Sequence, residues 1–311
     1  MTDESTREDA VTVDRTPPDE VFGLLANDVR VDILRALAET PDDAVAFSDL
    51  YDRVAVADSG NFNYHLEQLR GSFVREADGY ELTLAGEQMV GALLAGTYTA
   101  DAAVDQFELD WDCLLCGGRM TAAYREERAW ITCGDCGKGA RFPFPPGSLE
   151  QFDRAELPAA FARWLRTFVQ RATTGFCYVC AGRVDGELAR LPGGTEDDPK
   201  PSRVTFECRR CDRVTQFSGS TLATYYPEVE AFFFEHNLEL LEGHASRAWS
   251  RLDEFDSRIL SEHPPRLEVR FAYGGERVTA EITPDAEIET VRRHQTDGET
   301  GTERSETGTE R

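Results

Sequence analysis

Hydrophobic residues between positions 18 and 96 recur at helical intervals and predict a compact, mainly helical region. Three or four helices are expected there. The last of them begins near Ser59 and has one apolar face, formed by Phe62, Leu66 and Leu69. Its remaining positions are mostly polar, so this helix can pack against its neighbours with one side and leave the other side in solvent.

A β-hairpin is expected after these helices. Phe73-Val74-Arg75 and the alternating run Tyr80-Glu81-Leu82-Thr83 flank an Asp78-Gly79 pair, which is a strong hairpin signal. Helices followed by such a hairpin are typical of a winged helix-turn-helix domain. Apolar positions continue from 84 to 107 and predict one more helix at the end of this domain.

The second half of the chain predicts short strands, separated by an amphipathic helix at 147–174. Residues 222–260 favour a helix or helix pair, and residues 266–283 favour a hairpin around Gly274-Gly275. The expected fold class is therefore α+β and multi-domain. Its expected parts are an N-terminal winged helix-turn-helix domain at 17–107, two four-cysteine zinc-ribbon-like units at 108–146 and 175–220, the linking helix at 147–174, and a C-terminal helix plus β-hairpin at 221–294.

Both ends of the chain are polar and lack a hydrophobic period. Residues 1–16 and 295–311 are predicted to be disordered, because such segments bury too little apolar surface to fold. No apolar run approaches the roughly 20 residues of a membrane span, and the first residues do not have the pattern of a signal peptide. We expect a cytoplasmic protein that does not contact the membrane.

All eight cysteines fall into four Cys-x-x-Cys pairs, and the sequence around Cys113 parallels that around Cys177, which indicates a duplicated ribbon. Two such pairs separated by a hairpin complete a four-cysteine shell for one Zn(II), so two zinc ions are expected. The predicted ligands are Cys113, Cys116, Cys133, Cys136, Cys177, Cys180, Cys208 and Cys211. A shell closed by four cysteines is structural. A thioredoxin-like redox pair and a labile zinc or redox sensor are the alternatives.

The charge of the chain is strongly acidic, with 58 acidic and 33 basic residues, and only Lys138 and Lys200 are lysine. This composition resembles that of proteins from salt-accumulating haloarchaea, in which a hydrated acidic surface maintains solubility. The net charge is −10 for residues 19–100, +2 for 111–220 and −7 for 221–294. The cysteine-containing region is thus the only one of these three that is not acidic.

Three segments of the first domain carry a family resemblance: LANDVRVDILRAL at 25–37, FNYHLEQL at 62–69 and YELTLAG at 80–86. They resemble the ArsR-type winged-helix transcriptional regulators, and the whole chain looks like a haloarchaeal member with an added C-terminal region. The resemblance implies that 62–69 belongs to the recognition helix and that a terminal helix pairs two subunits. Residues 47–54 contain neither Cys nor His, so metal sensing by that helix is not implied.

A recognition helix reads base edges in the major groove with side chains that donate and accept hydrogen bonds. The amides of the expected helix suit adenine, and its flanking polar and basic residues suit base edges or phosphate. The candidate DNA contacts are Ser59, Asn61, Asn63, Tyr64, Gln68, Arg70 and Arg75. His65 is expected to pack inside the domain instead.

These patterns favour a sequence-specific, homodimeric regulator that binds double-stranded DNA and receives a signal from a protein or small-molecule effector. A zinc-ribbon scaffold that binds proteins is the principal alternative. An enzyme is the weakest hypothesis, because the sequence has no phosphate-binding glycine loop, no His-Glu-x-x-His motif and no dinucleotide-binding glycine pattern.

Overall fold

The computed structural model describes residues 13–190 and 202–295. The chain divides into two compact units, Met1–Ala100 and Asp101–Arg311. Both have mixed composition: the first combines helices with a short hairpin, and the second combines antiparallel sheets with helices. Most of the two tails for which disorder was expected, 1–12 and 296–311, lies outside the described residues.

Residues 13–100, the described part of the first unit, contain five helices and one hairpin. They are α1 Pro18–Gly23, α2 Asp28–Ala38, α3 Phe47–Arg53, α4 Ser59–Leu69, β1 Val74–Glu76, β2 Tyr80–Leu82 and α5 Leu84–Leu94. Side chains that accept backbone N–H groups set three of the helix starts: Asn27 caps α2, Asp58 caps α4 and Thr83 caps α5.

The apolar faces of α2, α3 and α4 form the core of the first unit. Leu34, Leu50, Phe62 and Leu66 are completely buried. The hairpin closes one side of this core, and Val45 pairs with Tyr80 to add a bridge at its edge. The periodicity that predicted α4 is therefore the periodicity of its buried face.

The helix predicted at 84–107 is wrong in its second half. Helix α5 ends at Leu94, because Gly96 adopts a left-handed backbone conformation (φ 66°) that a helix cannot continue through. Residues Val104–Asp112 instead form a strand, in which apolar and polar residues alternate as a half-buried strand requires.

The described part of the second unit, residues 101–190 and 202–295, contains three antiparallel sheets, and within each sheet the strands follow chain order. The first sheet comprises β3 Val104–Asp112, β4 Arg119–Arg125, β5 Arg128–Cys133 and β6 Gly139–Pro143. The second comprises β7 Val184–Arg190, β8 Ser202–Cys208 and β9 Val214–Ser218. The third comprises β10 Glu254–Glu262, β11 Pro265–Tyr273, β12 Glu276–Ile282 and β13 Ile288–Gln295.

The helical segments of this unit pack between and around the sheets. They are a 3-10 helix at Pro146–Gln151, α6 Leu157–Thr173, α7 Gly219–Thr224, α8 Pro227–Glu235 and α9 Ala245–Trp249. One continuous core includes Ile131 of the first sheet, Phe206 of the second, Phe271 of the third and Phe161 of α6. The amphipathic helix expected at 147–174 is present as the 3-10 helix and α6.

The C-terminal region differs from the expected helix plus hairpin. Residues 222–260 form short helices only as far as Trp249, and β10 begins at Glu254. The predicted hairpin is present as β11 and β12, with Gly274 and Gly275 at positive φ in its turn. It is the centre of a four-stranded meander, because β10 and β13 pair on its two sides.

Membrane-spanning helices are not found in the described ranges, 13–190 and 202–295: none of the helices there combines the length and the apolar character that a crossing requires.

Candidate functional site

The eight cysteines assemble into two groups of four. In each group the four sulfur atoms lie within 4.8 Å of one another: Cys113, Cys116, Cys133 and Cys136 in the first, and Cys177, Cys180, Cys208 and Cys211 in the second. The Cys-x-x-Cys pairs combine as their spacing predicts, first with second and third with fourth. Each group could hold one metal ion.

The two groups share two of their sulfur–sulfur distances, and in the second group the Sγ atoms of Cys180 and Cys211 are also 3.4 Å apart. In the first, the Sγ atoms of Cys113 and Cys136 are 3.8 Å apart, and those of Cys116 and Cys133 are 3.5 Å apart. In the second, the equivalent distances are 3.8 Å for Cys177 to Cys211 and 3.5 Å for Cys180 to Cys208. A tetrahedral ion with metal–sulfur bonds of about 2.3 Å requires sulfur–sulfur distances of about 3.8 Å. Both groups therefore fit such an ion.

A hairpin positions the two halves of each group. Cys133 is the last residue of β5, and Cys208 is the last residue of β8. The preceding strand starts just after the other pair of the same group, so that β4 and β7 return the chain to the same end. In every pair the first cysteine is buried and the second is exposed or half-buried, which places the sulfurs at the border of the core.

All four Cys-x-x-Cys turns share one backbone shape. In each, the residue after the second cysteine is at positive φ: Gly117 (72°), Gly137 (67°), Ala181 (53°) and Asp212 (55°). The N–H of that residue donates to the carbonyl of the first cysteine of its pair. Two of these four positions carry a side chain, although glycine adopts this conformation with the least strain.

Backbone N–H groups point at the first sulfur of each pair. The N–H groups of Leu115, Asp135, Val179 and Arg210 each lie 3.4 Å from the Sγ of the first cysteine, two residues earlier in the chain. Such bonds stabilise a thiolate, since they place positive partial charges against it. The turns are thus built to hold negatively charged sulfur.

The pKa values of the thiols show how each group distributes charge. Backbone N–H groups, first among them that of Cys136, lower the pKa of Cys133 to about 7, and that of Arg210 does the same for Cys208. The N–H of Gly118 lowers the pKa of Cys116, but hydrogen bonds with Cys133 and Cys136 raise it more, to about 12. Without a cation the four thiols share protons; a bound cation would replace them.

The predicted DNA contacts lie on and beside α4. Ser59, Asn61, Asn63, Tyr64 and Gln68 are all exposed on this helix, whereas its apolar residues are buried. The five side chains therefore occupy the solvent side of α4.

His65 is buried and accepts a hydrogen bond at Nδ1 from Arg30 Nε at 3.4 Å. It packs inside the unit, as expected. Arg70 and Arg75 are exposed, but both are paired with carboxylates: Arg70 with Glu67 and Glu76, at 2.7 and 2.6 Å, and Arg75 with Glu81 at 2.7 Å. Neither arginine is free to contact phosphate unless it leaves its partner.

Two family models match the chain. A domain of unknown function, DUF7347, matches residues 18–93, and a second, DUF7351, matches residues 110–288, more than half of the chain. The chain belongs to the DUF7351 family. Each matched segment of this DUF7351 protein lies within one of its two compact units. No curated protein and no solved structure matches it.

Sequence reasoning missed one polar residue on α4 of the DUF7351 protein. Glu67 is exposed, and its carboxylate accepts hydrogen bonds from Arg70 at 2.7 and 2.8 Å. The signal was present, because Glu67 lies three and four positions after Tyr64 and Asn63 and so shares their side of the helix. A carboxylate there can accept from the amino group of cytosine.

Proposed function

We propose that this protein is a sequence-specific DNA-binding transcriptional regulator, similar to the ArsR type. In this proposal α4 is the recognition helix of a winged helix-turn-helix domain, and β1 with β2 is the wing. The cysteine-containing unit is a metal-stabilised module that receives a protein or small-molecule effector. The protein acts in the cytoplasm, where double-stranded DNA is its partner.

The division of α4 into two faces is the observation that carries this proposal. One face, with Phe62 and Leu66, is buried, and the other presents two asparagines, a tyrosine and a glutamine to solvent. A helix enters the major groove with such a polar face, and the residues near its N-terminus contact bases. Asn61 and Asn63 occupy that part of α4.

The acidic charge of the first unit means that DNA binding cannot depend mainly on attraction to phosphate. Residues 19–100 carry a net charge of −10, and phosphate attraction supplies much of the affinity of most DNA-binding proteins. In molar salt this attraction is screened for any protein, so base contacts and shape would carry the binding. The pairs made by Arg70 and Arg75 are exposed, and exposed ion pairs are weak enough to exchange a carboxylate for a phosphate.

We infer that Zn(II) occupies the two cysteine groups, one ion in each. Four thiolates in a tetrahedral arrangement favour zinc, and four protein ligands leave no position for a substrate. The role of both ions is therefore structural.

A homodimer would present two recognition helices to a pseudo-palindromic site. Apolar side chains at and after the C-terminal end of α5 support such pairing, since Leu94 is 70% and Tyr98 is 71% exposed. The pairing element is shorter than the sequence predicts, because α5 ends at Leu94.

Selection of bound sequences from a random duplex library tests the proposal. Zinc-loaded protein in molar KCl should enrich a pseudo-palindromic sequence. The Asn61→Ala/Asn63→Ala variant should lose the enrichment. Gln170→Ala is the matched control, because it removes an exposed amide from α6, in the other unit, and should enrich the same sequence. Absence of enrichment by folded, zinc-loaded protein would contradict the proposal.

A protein-binding scaffold is the second candidate function, and one observation favours it. The Cys-x-x-Cys turns carry exposed apolar side chains, with Leu115 76% and Val179 55% exposed. Neighbouring exposed apolar side chains are typical of protein contacts, and Leu114, which is 46% exposed, is adjacent to Leu115. Under this function the Asn61→Ala/Asn63→Ala variant behaves as the unchanged protein does, whereas polar substitutions at Leu115 and Val179 remove the partner.

A further inference from the structure

Ion pairing divides the arginines of the second unit into two groups. All eight arginines between positions 247 and 293 have a carboxylate within 4.0 Å. Among the described residues, no carboxylate lies within that distance of Arg125, Arg128 or Arg141. Arg163, another arginine of this region, also has no described carboxylate within 4.0 Å, and residues 111–220 have a net charge of +2. Arg125, Arg128 and Arg141 differ in that they lie together on one small surface.

These three arginines share one face of the first sheet with a tryptophan. Arg125 of β4 lies opposite Arg128 of β5, and Trp130 of β5 lies opposite Arg141 of β6. Residues that pair across antiparallel strands, or lie two apart along one strand, point to the same side. We call Arg125, Arg128, Trp130 and Arg141 the arginine face. The opposite side of the sheet is buried, with Ala129 and Ile131 fully enclosed.

Two guanidinium groups of this face, those of Arg125 and Arg141, lie against the indole ring of Trp130. Arg125 lies 4.3 Å and Arg141 5.6 Å from the Trp130 ring centre, both within cation–π distance. Stacking on an aromatic ring restricts a guanidinium to few positions while leaving its N–H groups free to donate. The arginine face therefore presents ordered donors without a bound carboxylate.

The face is not arranged for stability. Two like charges directly opposite each other in a hairpin are destabilising, yet Arg125 and Arg128 pair in this way. The turn between them contains Glu126 and Glu127, both at positive φ (54° and 57°), and neither carboxylate lies within 4.0 Å of these arginines. Local departures from favourable pairing and backbone geometry are most frequent at functional sites.

We propose that the arginine face binds single-stranded nucleic acid. Guanidinium groups form bidentate hydrogen bonds with phosphates, and guanidinium planes stacked on an aromatic ring support unpaired bases. A duplex offers only its phosphates to a flat sheet, since its bases are enclosed by stacking and pairing. An acidic peptide would use the arginines but would gain nothing from the planar stack. This inference does not depend on DNA reading by α4.

Fluorescence anisotropy of labelled ligands tests this inference with the full-length, zinc-loaded protein. The ligands are a single-stranded DNA of about 20 nucleotides, its duplex and a labelled polyglutamate. We expect the single strand to bind tightest. Arg125→Gln/Arg141→Gln should weaken its binding by about tenfold or more, and Trp130→Phe by a smaller factor. Zinc content and circular dichroism of each variant verify that it is folded.

Arg258→Gln/Arg292→Gln is the matched control, because it removes two exposed arginines that are ion-paired on the third sheet. This control and Asn61→Ala/Asn63→Ala should change single-strand binding by less than about twofold. Four results would overturn the inference: no binding, equal or tighter binding of the duplex, equal or tighter binding of polyglutamate, or an Arg125→Gln/Arg141→Gln variant that binds as the unchanged protein does.

Discussion

At the scale of single residues, the two cysteine groups differ in the residue that follows their first Cys-x-x-Cys pair. The first group has Gly117 after its first pair, and the second has Ala181 at the equivalent position, both at positive φ. The sequence parallel between the two ribbons predicts this equivalence. The side chain at Ala181 adds backbone strain that its counterpart avoids, at a cost of about 1 kcal/mol.

Exchanging these two residues should therefore have opposite effects. Ala181→Gly should stabilise the zinc-loaded second unit by up to about 1 kcal/mol, which corresponds to a Tm increase of about 2–4 °C. Gly117→Ala should lower Tm by a similar amount, because no atom lies within 4 Å of the added methyl group and only the backbone resists it. Calorimetry checks both. Changes of the same sign would show that φ does not limit these turns.

A second residue-scale prediction concerns acid stability. A hydrogen bond from Arg293, and a smaller contribution from His236, lower the pKa of Glu276 below its usual 4.5. Because the folded-state pKa is the lower one, the stabilisation is complete above about pH 4.5 and is lost as the pH falls through the folded-state value. Arg293→Gln should therefore reduce the free energy of unfolding at pH 7 but not at the acidic end.

Urea unfolding at several pH values measures this difference. Arg163→Gln is the control, since Arg163 is exposed on α6 and is not part of this network. The free energies of unfolding of Arg293→Gln and the unchanged protein should converge at low pH. A difference that stays constant down to the lowest pH would contradict a lowered pKa of Glu276 as its cause.

At the scale of elements, the packing of α5 on the hairpin is the most specific feature of the first unit. Gly86 in the first turn of α5 is so close to the hairpin that an added methyl group would collide with the carbonyl oxygen of Phe73 and lie 3.0 Å from Leu82. Gly91 in the same helix has no atom within 4 Å of such a group. Close packing therefore requires glycine at position 86, whereas no such contact requires it at position 91.

Gly86→Ala should destabilise the first unit by about 1–3 kcal/mol, although alanine is the better helix former. Gly91→Ala should stabilise it by up to about 1 kcal/mol. Hydrogen exchange of the amides in α2 and α4 reports the opening free energy of this unit in the full chain. Faster exchange in both variants, or in neither, would show that α5 does not pack as described.

Elements with local signals are the ones that the sequence predicts best. Helix α4 follows from its apolar period and the hairpin from its turn, and the cysteine groups follow from spacing alone. The extension of α5 was wrong because Leu93, Leu94 and Tyr98 fit a helix, while the strand signal came later. Phe107, Leu109 and Trp111 alternate with polar residues, and that pattern distinguishes β3.

Features that depend on contacts between distant parts of the chain could not be predicted from the sequence. The outer strands β10 and β13 depend on pairing with the central hairpin. Pro264-Pro265 and Pro284-Asp285 mark the turns beside it, but a turn signal does not show which strands pair. The ion pairs of Arg70 and Arg75 likewise depend on which carboxylates the fold brings near them. The arginine face required the register of β4, β5 and β6, because only the register puts its four residues on one side.

At the scale of the whole molecule, the two units have separate cores, and only the second contains the cysteine groups. Cys113 and Cys133 are part of its core, so loss of a bound ion would remove the cation that links the two Cys-x-x-Cys pairs at the border of that core. Removal of zinc by a chelator in the presence of a reductant should unfold this unit and leave the first one folded.

Hydrogen exchange by mass spectrometry after chelation checks this prediction. Amides of β4, β5 and β8 should lose protection, while those of α2 and α4 keep theirs. Readdition of one zinc equivalent per site should restore protection. Loss of protection in both units together, or in neither, would contradict the prediction that the metal stabilises the second unit alone.

The central claim, that α4 reads DNA, is tested most directly by photo-cross-linking of the protein to the duplex that the selection enriches, followed by peptide mapping. We predict cross-links in the segment 59–76, which contains α4 and the first strand of the hairpin, and their loss in the Asn61→Ala/Asn63→Ala variant. Cross-links confined to residues 101–295 would contradict the claim, because DNA would then contact the second unit and not the helix proposed to read it.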